Sequence, residues 1–354
     1  MRKKLKVFHG LVNYGTQAGF FSQELRKKGV DSVSVIRYDP SERIADVKLL
    51  KTAAFPKRFF PRIYNMLIKL YYFLKCNTFH FYFGQTLLPN QWDLPLYRIF
   101  GKKVIFEFLG YDIRNYKFLV SRYNLPSNHP LSIHQEEHDR MIRKRLEFED
   151  KYVDYKLCCL PSHFRLAEAF NSKIDQLLPL AIDIEKYQFT EQNIKPENEP
   201  LIILHAPTNR ILKGTDLIIE SISQLKNDGY NIELRIVEGI THEQLMDEYK
   251  KCDIFIAQVG LGWYGTVALE AMAIGRPTCA YIDEQIFDYI DYSNDIPVIN
   301  INKDTIYSVL KELIESKDKL FEIGLRSRKF VENYHDIRIV TDQLIQVYQK
   351  VWSS

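Results

Sequence analysis

Short apolar runs alternate along this chain with stretches of helical periodicity, and the alternation predicts a repeated strand–helix unit. Leu5–Phe8 reads as a first strand, the segment from Gly10 to Thr16 as a glycine-bearing loop, Gln17–Lys28 as a helix closed by Gly29, and Val33–Ile36 as the next strand. Further strands are expected at Phe79–Phe83, Lys103–Phe108, Tyr155–Leu160 and Ile174–Leu180, with helices at Leu94–Phe100 and Ser162–Phe170 between them. Residues 184–199, with their Gln, Asn, Pro and Glu, read as a linker and put the boundary near 182–199. The pattern then restarts: strands at Leu201–Leu204, Ile232–Val237, Asp253–Ala257, Thr278–Tyr281 and Pro297–Ile301, interleaved with helices. Strands that alternate with helices imply parallel sheets, here two of them. The last helix, Ile337–Trp352, is amphipathic.

Residues 55–76 stand out as basic and aromatic. Their apolar positions 63, 66, 67, 70, 71 and 74 follow helical spacing, so that face is expected in the core. Lys57, Arg58, Arg62, Lys69 and Lys75 form a flank that either meets anionic lipid headgroups at a membrane surface or is simply solvated.

Composition narrows the function classes. Hydrophobic residues are 46% and charged residues 26% of 354, which is globular, with room for two domains. A net charge of +3 gives no argument for nucleic acid. Five cysteines without a Cys-x-x-Cys read as reduced core thiols of a cytoplasmic protein. The start, MRKKLKVFHG, lacks a signal-peptide apolar core, and no run of about 18 apolar residues predicts a spanning helix.

The chemistry gathers in the second half. In residues 258–280, QVGLGWYGTVALEAMAIGRPTCA, glycines 260, 262 and 265 lead into a helix that carries the lone acid Glu270 and stops at Gly275 and Pro277. A glycine loop at a helix N-terminus lets a ligand approach the backbone and attracts phosphate. Glu270 must be satisfied inside an apolar helix: either it accepts from ligand hydroxyls, or it caps a loop or pairs with an arginine. Upstream, Asn209, Arg210 and Lys213 stand at a helix entry before Gly214, an arrangement suited to a diphosphate. Glu238, Gly239 and His242 follow a strand end, near a ligand's base or ribose, with His242 alternatively a plain helix-entry residue. In the first half, Gly15 and Thr16 either face a phosphate or make a turn, and no Gly-x-Gly-x-x-Gly indicates a dinucleotide. Asp112 and Arg114 are candidates beside Glu107, which on a strand would point to the same side as Leu109; Asp112 is alternatively a loop cap. His134 and His138 are spaced i, i+4 without His-Glu-x-x-His, so surface histidines are the default and no metal is assigned.

Gly265-x-x-x-Leu269-Glu270-Ala271-Met272-Ala273-x-Gly275-x-Pro277 resembles the signature of glycosyltransferase family 4. The resemblance spans nearly the whole chain, with its specific part in the second half. It implies the GT-B fold: an N-terminal Rossmann-like acceptor domain (1–182, plus the helix 337–354 crossing back) and a C-terminal nucleotide-sugar donor domain (200–336). Leu178–Asp183 resembles the family's interdomain hinge. The resemblance implies transfer of a sugar from a nucleoside-diphosphate sugar, UDP- or GDP-linked, to an acceptor hydroxyl with retention, without metal or other cofactor. Carbohydrate or lipid-linked acceptors at the inner face of the membrane, in bacterial polysaccharide or glycoconjugate synthesis, are expected partners. It gives Arg210 and Lys213 the donor diphosphate, Glu270 the ribose, and the loop at Gly15–Thr16 closure over the phosphates; Gly262, Trp263, Tyr264, Gly265 and Thr266 join the donor site. The sequence departs from the family twice. Gly262 stands where a first Glu precedes Glu270 by eight residues, and Leu109 stands where a histidine is frequent, so Glu107 or Asp112 would supply that polar role. A non-catalytic nucleotide-sugar-binding partner of an active transferase is the alternative, and a sugar-nucleotide epimerase a third reading.

Overall fold

The computed structural model describes residues 4–39, 43–51, 59–110, 112–122, 125–191, 196 and 198–353. Lys57 and Arg58 lie outside the described residues. The chain divides into two compact units, Met1–Pro179 with Ile337–Ser354, and Leu180–Asp336.

The first unit is built on a seven-stranded sheet: β1 (Lys6–Leu11), β2 (Asp31–Ile36), β3 (Val47–Lys48), β4 (Thr78–Tyr82), β5 (Lys103–Phe108), β6 (Tyr155–Cys158) and β7 (Gln176–Leu177). Their order is β3-β2-β1-β4-β5-β6-β7, and every pairing is parallel. Helices cover the faces of such a sheet, which is why its strands read as unbroken apolar runs. The order reverses between β1 and β4, so the loops after these strands diverge at one point of the sheet's carboxyl edge. The helix Ile337–Ser353 belongs to this unit. Its Tyr348 hydroxyl lies 2.8 Å from His80 Nδ1 and 3.3 Å from His9 Nε2, and Trp352 Nε1 donates to Thr78 Oγ1 at 2.9 Å.

The second unit carries β8 (Leu201–His205), β9 (Ile232–Ile236), β10 (Ile254–Gln258), β11 (Thr278–Ala280) and β12 (Ile299–Asn300), all parallel in the order β12-β11-β10-β8-β9. Its switch point lies between β8 and β10. The helix Thr266–Ile274 is buried along nearly its whole length. The helix Leu320–Tyr334 comes so near that a Cβ on Gly324 would sit 2.2 Å from the Gly275 carbonyl oxygen; only a residue without a side chain permits that approach. Residues expected as linker lie against this unit where they are described: Thr190 N–H donates to the Ile274 carbonyl at 3.0 Å, and Arg328 donates to the carbonyls of Tyr187 and Ala273.

The expected core face of the segment 55–76 is corrected. The helix Phe59–Lys75 forms, but Ile63, Met66, Leu67, Leu70, Tyr71 and Leu74 are exposed; the helix reaches the core through Phe73, with Ile68 and Tyr72 partly buried beside it. All five cysteines are free and buried.

Candidate functional site

The second sheet's switch point is organised from its strand ends. His205, the last residue of β8, is buried; Nδ1 lies 2.8 Å from the Ile256 carbonyl and Nε2 2.9 Å from Thr215 Oγ1. Burial lowers the affinity of this ring for a second proton. A carbonyl only accepts, so Nδ1–H donates to it and Nε2 accepts from Thr215. One neutral ring thereby ties β8, β10 and the helix Thr215–Asn227 together. After β8 the chain makes the short turn Arg210–Lys213, whose Leu212 N–H donates to Asn209 Oδ1 at 3.0 Å. The Lys213 carbonyl accepts from Val259 N–H at 3.0 Å, so the loops after β8 and β10 are bonded to each other.

The loop after β10 is held by Gln258. Its Oε1 accepts from Gly260 and Leu261 N–H at 2.7 and 2.6 Å, and its Nε2 donates to the carbonyls of Trp263 and Tyr281 at 2.7 and 3.1 Å. Gly262 has φ 70°, a left-handed conformation that side chains other than glycine's strain. An acid at 262 therefore does not fit this loop as it stands. Gly265 is extended and precedes Thr266–Ile274 without a side-chain cap, and the first N–H groups of a helix have no partner within it. Trp263 and Tyr264 are buried rather than displayed. The Tyr264 hydroxyl lies 3.1 Å from His335 Nε2, and its ring packs edge-on to Phe330, which gives it a structural role.

Glu270 is buried, and among the described residues its partners are a histidine and two tyrosines, one of them in the loop after Ile184–Lys186, with no arginine. Its Oε1 lies 3.1 Å from His242 Nε2 and accepts from the Tyr187 hydroxyl at 3.2 Å; its Oε2 receives the Tyr249 hydroxyl at 3.5 Å. His242 is the first residue of the helix His242–Lys251, which opens with a capping box between Thr241 and Gln244. The hydrogen bond to Glu270 raises the His242 pKa above its ordinary value. Arg210 does not stand open beside Lys213. Its guanidinium is paired with Glu238, Nε at 3.1 and 3.0 Å from the two carboxylate oxygens and Nη2 at 2.5 Å. The hydrogen bond from Arg210 lowers the Glu238 pKa. Gly239 follows with φ 66° and open space where a side chain would be. The structure thus groups Asn209, Arg210, Lys213 and Glu238 around one turn and Glu270 with His242 in a second cluster, both at the ends of the same sheet's strands and helices. Tyr187, Tyr249, His205 and Gln258 were not singled out in the sequence. A tyrosine's hydroxyl partner, or a glutamine's backbone contacts, leave no periodic mark in a sequence.

In the first unit, Tyr14–Thr16 forms a single turn after β1, with Gly15 at φ 51° and Thr16 at φ 65°. A β-branched residue in the left-handed region is strained. Asn13 holds the turn: Nδ2 donates to the Ile44 carbonyl at 2.8 Å and Oδ1 accepts from Gly19 N–H at 3.3 Å. The Tyr14 ring lies edge-on to Phe83, so the loops after β1 and β4 touch at this switch point. Glu107 is not at the strand's open end. It is buried with Oε2 3.1 Å from His80 Nε2, in the polar layer that receives Tyr348. Burial pushes the Glu107 carboxyl up to about 8 and His80 down to about 3, so neither carries charge near neutrality. Leu109 is buried too, and Asp112 closes its own loop, accepting from Gly110 N–H at 2.8 Å and Leu109 N–H at 3.1 Å. Burial raises Asp112 to about 6 against the opposing Arg145 charge and these N–H groups. The His138 ring stacks on Tyr116 at 3.7 Å. No group of three or more metal-ligating side chains occurs among the described residues.

No protein-family model and no curated protein matches the chain. Solved structures do. Sucrose-phosphate synthase from Thermosynechococcus elongatus aligns with TM-score 0.67 at 15% identity, covering 99% of this chain and 100% of that one. Anabaena HepE in complex with UDP-glucose aligns with TM-score 0.63 at 8% identity, covering 97% and 99%. The catalytic domain of starch synthase IV from Arabidopsis thaliana, bound to ADP and acarbose, aligns with TM-score 0.61 at 10% identity, covering 99% and 100%. At such identities the likeness establishes the fold, and the fold is GT-B.

Proposed function

We propose that the protein is a glycosyltransferase that moves a sugar from a nucleoside-diphosphate sugar to an acceptor hydroxyl. The observation that carries this reading is the buried Glu270, held by His242 and two tyrosines at the strand-end side of the second sheet, with the glycine loop and the Arg210–Lys213 turn on the same edge. Ligands bind outside the carboxyl ends of such strands at a switch point. A carboxylate there accepts from vicinal ribose hydroxyls, while free N–H groups and a lysine suit phosphate oxygens. As the donor bond breaks, negative charge grows on the leaving diphosphate; Lys213, the Thr266 helix N-terminus and Arg210 would stabilise it. An incoming diphosphate competes with Glu238 for Arg210. The donor is a UDP- or GDP-sugar, and no metal or other cofactor is required because cations of the chain take that role. The neighbours solved with UDP-glucose and with ADP support a nucleotide-sugar donor. The resemblance of residues 265–277 to family 4 extends the proposal to retention, and to polysaccharide or glycoconjugate synthesis at a bacterial cell's inner membrane face. The first unit would receive the acceptor.

A specific observation favours a second reading. Gly262 is left-handed where the family has an acid, and Leu109 is buried where it has a histidine, as suits a binding partner that does no chemistry. Calorimetry with UDP, GDP and ADP, followed by donor turnover without acceptor, separates the readings. Binding with hydrolysis or transfer supports the transferase. Binding without turnover gives the partner, and interconversion of the sugar's epimers gives an epimerase. Lys213→Ala is expected to weaken diphosphate binding by about 1.5–3 kcal/mol, the worth of hydrogen bonds to charged groups. Unchanged affinity would remove Lys213 from the site.

A further inference from the structure

The helix Phe59–Lys75 carries apolar residues on the side turned away from the protein as well as on the side that packs against it. One side meets the protein: Phe73, Ile68 and Tyr72 pack on the core of the first unit, Asn65 exchanges two 2.9 Å hydrogen bonds with the Leu50 backbone, and Lys69 Nζ donates to the Leu87 carbonyl at 2.7 Å. A second set of apolar side chains faces outward. Phe60, Ile63, Met66, Leu67, Leu70 and Leu74 are each between 46% and 72% exposed, and at 3.6 residues per turn they lie on one side of the helix. A second apolar cluster adjoins it. Phe100 meets Phe73 edge-on at 5.5 Å; Ile99 and Trp92, on the same stretch of chain around the helix Leu94–Ile99, are each more than 70% exposed. So extensive an exposed patch marks an interaction site.

Charge identifies the occupant. The helix contains Arg62, Lys69 and Lys75 and no acid, and Arg98 is exposed on the neighbouring helix Leu94–Ile99. The acid at that helix's start, Asp93, is turned inward onto Leu87 N–H and the Tyr97 hydroxyl. Pairing this face with a second copy of itself would bring like charges together with no acid between them. We infer that this face docks the first unit onto an anionic phospholipid bilayer, its aliphatic side chains entering the acyl boundary and Arg62, Lys75 and Arg98 meeting the headgroups. No helix among the described residues is long and apolar enough to cross a membrane, so the contact lies in the interface plane.

The test is co-sedimentation of the full chain with vesicles of phosphatidylcholine alone or mixed with phosphatidylglycerol. The unaltered chain is expected to bind the anionic vesicles, with the emission of the exposed Trp92 shifting to the blue. Leu67→Glu with Leu70→Glu should lower partitioning by about tenfold or more while UDP affinity is unchanged. Lys75→Glu with Arg98→Glu should remove the preference for anionic lipid. Three results would overturn the inference: no binding and no blue shift with the unaltered chain; equal binding by Leu67→Glu/Leu70→Glu; or a dimer that this variant dissolves, without vesicle binding, which would make the face a contact between copies.

Discussion

Glu270→Gln changes the charge of the proposed ribose acceptor and almost nothing of its shape. In the unaltered chain Oε1 is shared by His242 and Tyr187, whereas Oε2 has the Tyr249 hydroxyl at the 3.5 Å limit. A carboxylate offers about four lone-pair sites, so Oε2 retains room for one or two ligand hydroxyls. A hydrogen bond to a charged acceptor is worth about 1.5–3 kcal/mol and one to a neutral acceptor about 0.5–1.5, so each ribose bond loses about 1–1.5 kcal/mol in the amide. Two such bonds amount to about 2–3 kcal/mol, or a rise in Kd for UDP of about 30- to 150-fold. The same substitution weakens the bonds from His242 and Tyr187, so the fold loses about 1 kcal/mol as well. Calorimetry well below the melting temperature separates the two effects. Tyr187→Phe serves as control: it removes an internal donor to Oε1 and leaves Oε2 intact, so it should cost stability with little change in Kd. If Glu270→Gln binds UDP as tightly as the unaltered protein while melting lower, the carboxylate is structural and the donor-site reading fails.

Two further outcomes follow from packing and charge. Gly324→Ala would drive a Cβ against the Gly275 carbonyl and push the helix Leu320–Tyr334 away from the helix that carries Glu270. A loss of about 1–3 kcal/mol in urea unfolding, with weaker UDP binding, is expected. Asp46 is partly buried, which opposes its charge, but the Arg26 guanidinium, Ser34 and Ser22 donate to it and hold its pKa at about 2. A folded pKa below the unfolded one stabilises fully above about pH 4, and that contribution is lost as the pH falls towards 2. Arg26 is well exposed, so solvent screening leaves about 1–2 kcal/mol; Asp46→Asn should melt lower at neutral pH and equal the parent near pH 2.

Much of the architecture was legible because parallel sheets covered on both faces write themselves as apolar runs bounded by glycine and polar loops. Strands β4, β5 and β8 fall within one residue of their expected ends, and β1 runs three residues past its own. The short edge strands β3, β7 and β12 were absent from the reading or shortened in the structure, since two residues of pairing carry no period. The segment after Asp183 read as linker because its composition is polar. Composition does not report that Tyr187 donates to Glu270, Thr190 to Ile274, and that Arg328 reaches the Tyr187 carbonyl.

The site was legible where spacing alone forces the chemistry. A glycine loop running into an apolar helix with one acid cannot leave that acid unsatisfied, and the structure supplies its partners from three other segments. It was misleading where direction matters. Glu107 alternates correctly along β5, yet the face it reaches is the sealed layer of His80 and Tyr348, because the sheet is covered there by the last helix of the chain, some 230 residues on. The helix Phe59–Lys75 carries the same lesson in stronger form. Periodicity specifies that its apolar residues share a side but not which way that side looks. Asn65 and Lys69, which find backbone partners on the body of the unit, share the inward side with Phe73, Ile68 and Tyr72, which pack on its core. An apolar stripe thus marks a surface that avoids water, and only the contacts of the opposite side reveal whether protein or something outside the protein covers it.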